Sequence, residues 1–186
     1  MLSTFKAKSQ RAGVGLAVLM AACLVLSSEE ASAQQKHKFL FNAPPGTTKY
    51  TQTHLMDVGD VPGHQVRIAE LQSKYSGDAP VYDGVKVVES RAVLVSDYFD
   101  GNGNAFTYGV STFENGDKIF ARTEILAHTT VGADGGRRTS FTSVATLTGG
   151  TGRFKGIRGT LRGSGFTDMK TGTSGAQTEG EYWFEK

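Results

Sequence analysis

From Tyr50 to Phe184 the chain alternates apolar and polar residues with a period of two, and no stretch holds an apolar stripe at helical spacing for three turns. Runs rich in Val, Ile, Thr, Phe and Tyr define eight candidate strands: Tyr50 to Val58, Gln65 to Tyr75, Val85 to Phe99, Asn104 to Glu114, Lys118 to Thr129, Arg138 to Thr148, Gly156 to Thr167 and Gln177 to Phe184. Between them stand turn-forming segments such as Val61-Pro62-Gly63, Asp100-Gly101-Asn102-Gly103, Asn115-Gly116-Asp117 and Gly149 to Gly152. Asn-Gly and Asp-Gly supply the positive φ angles of tight hairpins, so sequence neighbours are expected to pair antiparallel as a meander.

A meander of eight strands can form a sandwich or a closed barrel. Closure removes both exposed edges, and a strand as long as Val85 to Phe99 suits a tilted, coiling wall. The expected fold is therefore all-β: an eight-stranded antiparallel meander closed into a β-barrel over residues 50–186. Residues 34–49 read as an extended lead-in that pins itself through Phe39-Leu40-Phe41.

The first 33 residues read as a secretory signal peptide. Lys6, Lys8 and Arg11 precede the apolar run Ala12 to Leu26, and Ala31-Ser32-Ala33 supplies a small-residue cleavage site. At about 15 residues the apolar run is shorter than the roughly 20 that span a bilayer, so no membrane span is expected. A competing reading takes Met20-Ala21-Ala22-Cys23 as a lipoprotein box with Cys23 acylated. Cleavage after Ala33 would leave 186 − 33 = 153 residues without a cysteine, exported to the periplasm or secreted and held by the core alone. Their formal charge, 17 − 16 = +1, gives no broad pull toward nucleic acid or anionic lipid.

Thr148 to Phe166, TGGTGRFKGIRGTLRGSGF, invites a phosphate-loop reading that its spacing refuses. Lys155 is followed by Gly156 and Ile157, not by Ser or Thr, and no helix pattern follows. Glycines recurring along a strand instead allow sharp coiling or the close approach of another backbone. Within this region Leu147 to Gly159, LTGGTGRFKGIRG, resembles a glycine-rich segment of the allene oxide cyclase and dirigent superfamily. That resemblance implies an eight-stranded antiparallel barrel, and with it cofactorless cyclisation or the guidance of radical coupling. No Glu and Asn pair matching the cyclase cavity aligns between Tyr50 and Tyr75, so the resemblance carries the fold and leaves activity open.

Charged residues interrupt the apolar faces of two strands. Glu89, Arg91 and Asp97 alternate with Val87, Val93, Val95 and Phe99, and Arg122 and Glu124 share a face with Phe120, Leu126 and His128. Together with Tyr108 they are the candidate ligand-binding residues, a polar cluster lining an apolar lumen. The competing reading makes them cross-strand ion pairs on the outer wall.

No metal or cofactor is expected. Asp100, Asn102 and Asn104 imitate the start of a calcium loop, but Ala105 and Ser111 stand where Gly and Glu belong. His37, His54, His64 and His128 lack ligand spacing. The function expected is an exported barrel binding a small, mostly apolar molecule in its lumen. The alternatives are a cofactorless cyclase or isomerase and a structural or surface-interaction barrel without ligand.

Overall fold

A computed structural model describes residues 34–168, 171 and 173–185. The expected signal peptide, Cys23 and part of the turn after Met169 lie outside the described residues.

Ten strands follow one another: β1 His37–Ala43, β2 Thr48–Asp57, β3 His64–Lys74, β4 Val81–Tyr82, β5 Val85–Phe99, β6 Asn102–Phe113, β7 Lys118–Val131, β8 Arg137–Gly150, β9 Ile157–Asp168 and β10 Thr173–Phe184. Every pairing is antiparallel, in the order β1-β10-β9-β8-β7-β6-β5-β3-β2, with the two-residue β4 on β5. The protein is an antiparallel β-barrel whose wall is the expected meander. Two strands exceed the expected eight. The lead-in is β1, whose Phe39, Leu40 and Phe41 pair with Gly180, Glu179 and Thr178 of β10, and β4 interrupts the loop before β5.

The ends of the sheet, β1 and β2, are joined by the Pro44–Thr47 turn, and no ladder connects them among the described residues. Side chains bridge this seam. Phe39 of β1 stacks on Tyr82 at 4.5 Å between ring centroids, and Phe41 meets Tyr75, just past β3, edge-on at 5.8 Å. Tyr82 also contacts Phe113 of β6 and Tyr182 of β10, and Phe113 packs on Phe154 at 4.1 Å. The Tyr182 hydroxyl accepts a 2.8 Å hydrogen bond from the Asp83 amide, while Arg153 clasps Asp83 at 2.8 Å. The loop carrying β4 thus plugs one end of the barrel with aromatic rings. Around them lie buried Val87, Ile119, Leu147, Ile157 and Leu161.

The glycine-punctuated strand is β9, and close backbone approach accounts for Gly159. A Cβ there would stand 2.6 Å from the Glu181 carbonyl and 2.9 Å from the Tyr182 Cβ. Gly159→Ala is therefore expected to cost about 1–3 kcal/mol of unfolding free energy by overpacking, read from a urea denaturation midpoint. An unchanged midpoint would show that β9 and β10 have room to separate.

Candidate functional site

The wall has two faces. Alternation and register place Gln65, Arg67, Ala69, Leu71 and Ser73 of β3 inward, beside Ser90, Ala92, Leu94, Ser96 and Tyr98 of β5. From β6 and β7 come Ala105, Thr107, Ile125 and Ala127.

The six expected site residues do share a face, and it is the outer one. Arg91, Asp97, Arg122 and Glu124 have side chains 59%, 69%, 53% and 74% exposed, Tyr108 is 57% exposed, and Glu89 is half-buried. Arg91 reaches Glu89 at 3.1 Å and Glu70 at 3.8 Å, and Arg122 reaches Glu124 at 3.6 Å. A hydrogen bond from Gln72, with the Arg91 guanidinium second, holds the Glu89 carboxyl below its ordinary range. The expectation that these side chains line the lumen is corrected. Charges on the outer wall keep their hydration, whereas the opposite face of β5 offers Ser90, hydrogen-bonded to Ser111, with Ala92 and Leu94, which are cheaper to enclose. Exposed pairs of this kind are worth about 0–1 kcal/mol. Glu124 also borders a shallow outer groove with Leu126, Val144 and Arg162.

The interior itself is divided. Large rings and aliphatics fill the plugged end, and a second, smaller apolar cluster of Ala69, Leu94 and Ala105 with Leu71, Tyr98 and Ile125 packs on the inner faces of β3, β5, β6 and β7. Toward the other end of β8, β9 and β10 the inward positions are Ser143, Gly163, Gly165, Ala176 and Thr178, with Phe141. Ser143, Gly163, Ala176 and Thr178 point inward yet remain half-buried rather than buried. Solvent therefore reaches the inner wall on this side.

Two polar groups stand on that inner wall without partners. Arg67 and Ser96 are directly opposed across β3 and β5. The Arg67 Nε and the Ser96 Oγ are both buried and make no hydrogen bond, and Ser96 is only 1% exposed. The Arg67 guanidinium lies over the rings of Tyr50 at 5.2 Å and Tyr98 at 5.8 Å. Burial raises the Tyr98 hydroxyl above its ordinary pKa, with the Arg67 charge opposing that rise. The nearby inward carboxylate, Asp57, takes its hydrogen bond from Gln65 at 2.8 Å. Sequence reasoning missed Arg67 and Ser96. The available signal was a cation one step out of phase with Val66 and Ile68, which reads as the solvent face of β3.

At the other rim, outside the wall, His64 sits between two carboxylates, 2.7 Å from Asp97 and 2.8 Å from Asp60. The hydrogen bond to Asp97, then that to Asp60, raises the imidazole pKa above its ordinary 6.5. Its ion pairing therefore contributes stability that is complete below about pH 6.5 and is lost as pH rises through the higher folded value. An NMR titration of His64 is expected to show a midpoint above 6.5 that drops in Asp97→Asn. A midpoint at or below 6.5, unmoved by that substitution, would refute the pairing.

No protein-family model matches the chain, and no curated protein matches it. The solved structures similar to it include two pterocarpan synthase dirigent proteins. GePTS1 is 14% identical with a TM-score of 0.39, the match covering 82% of this chain and 86% of that one. PsPTS1 is 17% identical with a TM-score of 0.41, covering 83% and 97%. At such identities the likeness says nothing of activity, and the barrel rests on its own strand pairings together with the side chains that bridge the seam between β1 and β2. Among the described residues no helix is long and apolar enough to cross a membrane, and no group of His, Cys, Asp or Glu is set to hold a metal ion.

Proposed function

We propose that this chain is an exported barrel that binds a small, mostly apolar molecule in the wide half of its lumen. The observation that carries the reading is the partition of the interior. Rings plug one end, while toward the other Ser143, Gly163, Ala176 and Thr178 face inward and stay only half-buried. Apolar walls with a few convergent polar groups are what ligand sites consist of, and Arg67, Ser96 and Tyr98 are such groups.

The cyclase or isomerase alternative needs a group that moves a proton near neutral pH. The shifts inside the barrel run the other way: burial raises the Tyr82, Tyr98 and Tyr182 hydroxyls further from neutrality. The alternative of a barrel without ligand has in its favour the exposed Val93, Leu126 and Val144 of the outer wall. Its other requirement, an interior packed throughout, is met at the plugged end and in the Ala69, Leu94 and Ala105 cluster, but not at the half-buried inner positions Ser143, Gly163, Ala176 and Thr178.

The neutral fluorophore N-phenyl-1-naphthylamine tests the proposal. Saturable binding to the wild type is expected, weakened by about tenfold or more in Ala176→Phe, which fills the open half, and unchanged in the outer-wall variant Leu126→Ser. Far-UV circular dichroism checks that both variants fold. Binding that survives Ala176→Phe and disappears in Leu126→Ser would move the site to the outer wall, and no saturable binding at all would favour the barrel without ligand.

A further inference from the structure

We propose that the lumen ligand carries a carboxylate, received by the Arg67 guanidinium and the Ser96 hydroxyl, with an aromatic body beside Tyr50 and Tyr98. This inference rests on the lumen reading above and names the class of molecule that the site takes.

An enclosed guanidinium loses hydration, and that loss is ordinarily offset by a carboxylate and by hydrogen bonds to its remaining N–H groups. Of the more exposed arginines, Arg91, Arg122, Arg153 and Arg158 have carboxylate partners, and Arg137 donates to the Asp100 carbonyl. Arg67 points inward and has none among the described residues. Asp57, the carboxylate near it on the inner wall, is engaged by Gln65, and the outer acid Glu70 belongs to Arg91.

Tyr50 and Tyr98 hold the cation through their ring faces, which attract charge but leave the Nε–H without an acceptor oxygen. Directly across the strand pair, the Ser96 Oγ is a second buried group with hydrogen-bonding capacity unused. Two neighbouring unsatisfied groups, one cationic and one hydroxyl, form half of a hydrogen-bonded site whose missing half is an anion with two oxygens. The planar fork of arginine matches a carboxylate in two-point contact, and a hydroxyl can donate to the same oxygens. Beside the pair Leu94 and Ala105 pack with Tyr98 and Ile125 in a small apolar cluster, which gives the aromatic body an apolar surface to lie against.

Isothermal titration calorimetry with 2-naphthoate and its neutral counterpart 2-naphthalenemethanol tests the inference. The wild type is expected to prefer the anion by about tenfold or more. Arg67→Gln should abolish that preference while leaving alcohol affinity within about twofold, and Ser96→Ala should weaken naphthoate alone. Arg67→Lys, which keeps charge but loses the fork, should fall between. The melting temperature of Arg67→Gln should fall only slightly, because the side chain it removes loses ring-face contacts with Tyr50 and Tyr98 but no hydrogen bond or ion pair.

Equal affinity for acid and alcohol in the wild type overturns the carboxylate inference. If N-phenyl-1-naphthylamine still binds in that case, the lumen reading stands without it. If the fluorophore does not bind, both fall. A naphthoate preference that persists in Arg67→Gln also overturns the inference, since the anion would then be held elsewhere.

Discussion

The stack of rings from Phe39 through Tyr82 to Phe113 and Phe154 holds this barrel shut. Around the rest of the wall closure is a matter of backbone hydrogen bonds, but β1 and β2 share no ladder among the described residues, and Pro44-Pro45 turns the chain between them. The seam is bridged by side chains, which gain both from buried area and from ring geometry, about 0.5–1.5 kcal/mol per aromatic pair beyond burial. Tyr82 is central because it touches rings from β1, β6 and β10 at once. The Asp83 amide and the Arg153 clamp then fix the loop that delivers it.

Concentrating the large residues at one end has a structural consequence at the other. A wall of this circumference either fills its interior with bulk or leaves room, and beyond the plug the inward positions of β8, β9 and β10 are small apart from Phe141. Close contacts between strands help to set the wall: the missing Cβ of Gly159 lets β10 lie close, and that of Gly165 admits the Phe141 ring. The unpartnered Arg67 and Ser96 stand where the room begins. Ring faces of Tyr50 and Tyr98 support the Arg67 charge, but no acceptor meets its buried Nε, and that unmet donor is what points to use.

Much of the fold was legible because alternation and turn chemistry are local. Val85 to Phe99 was bounded correctly, and the Asn115-Gly116 and Asp100-Gly101 turns lie where positive φ angles were anticipated, at Gly116, Asp100 and Gly101. His37–Ala43, seven residues followed by Pro44 and Pro45, carries little strand signal of its own; pairing with β10, distant in sequence, makes it a strand. The site was less legible. Alternation identifies the two faces of a strand but not which is inside. On β3 both faces mix apolar and polar residues, Val66 and Ile68 against Ala69 and Leu71, so the inward direction of Arg67 follows only from tertiary context. On β5 the charges drew attention to the outer face, whereas the informative residue was the plain Ser96.

A crystal structure with 6-bromo-2-naphthoate tests the central claim most directly, because the anomalous signal of bromine locates the ligand independently of the protein. The account predicts a peak inside the barrel beyond the aromatic plug, with the carboxylate within hydrogen-bonding distance of the Arg67 Nε and the Ser96 Oγ. A peak on the outer wall near Tyr108 and Leu126, or an interior occupied by protein side chains throughout, would contradict it.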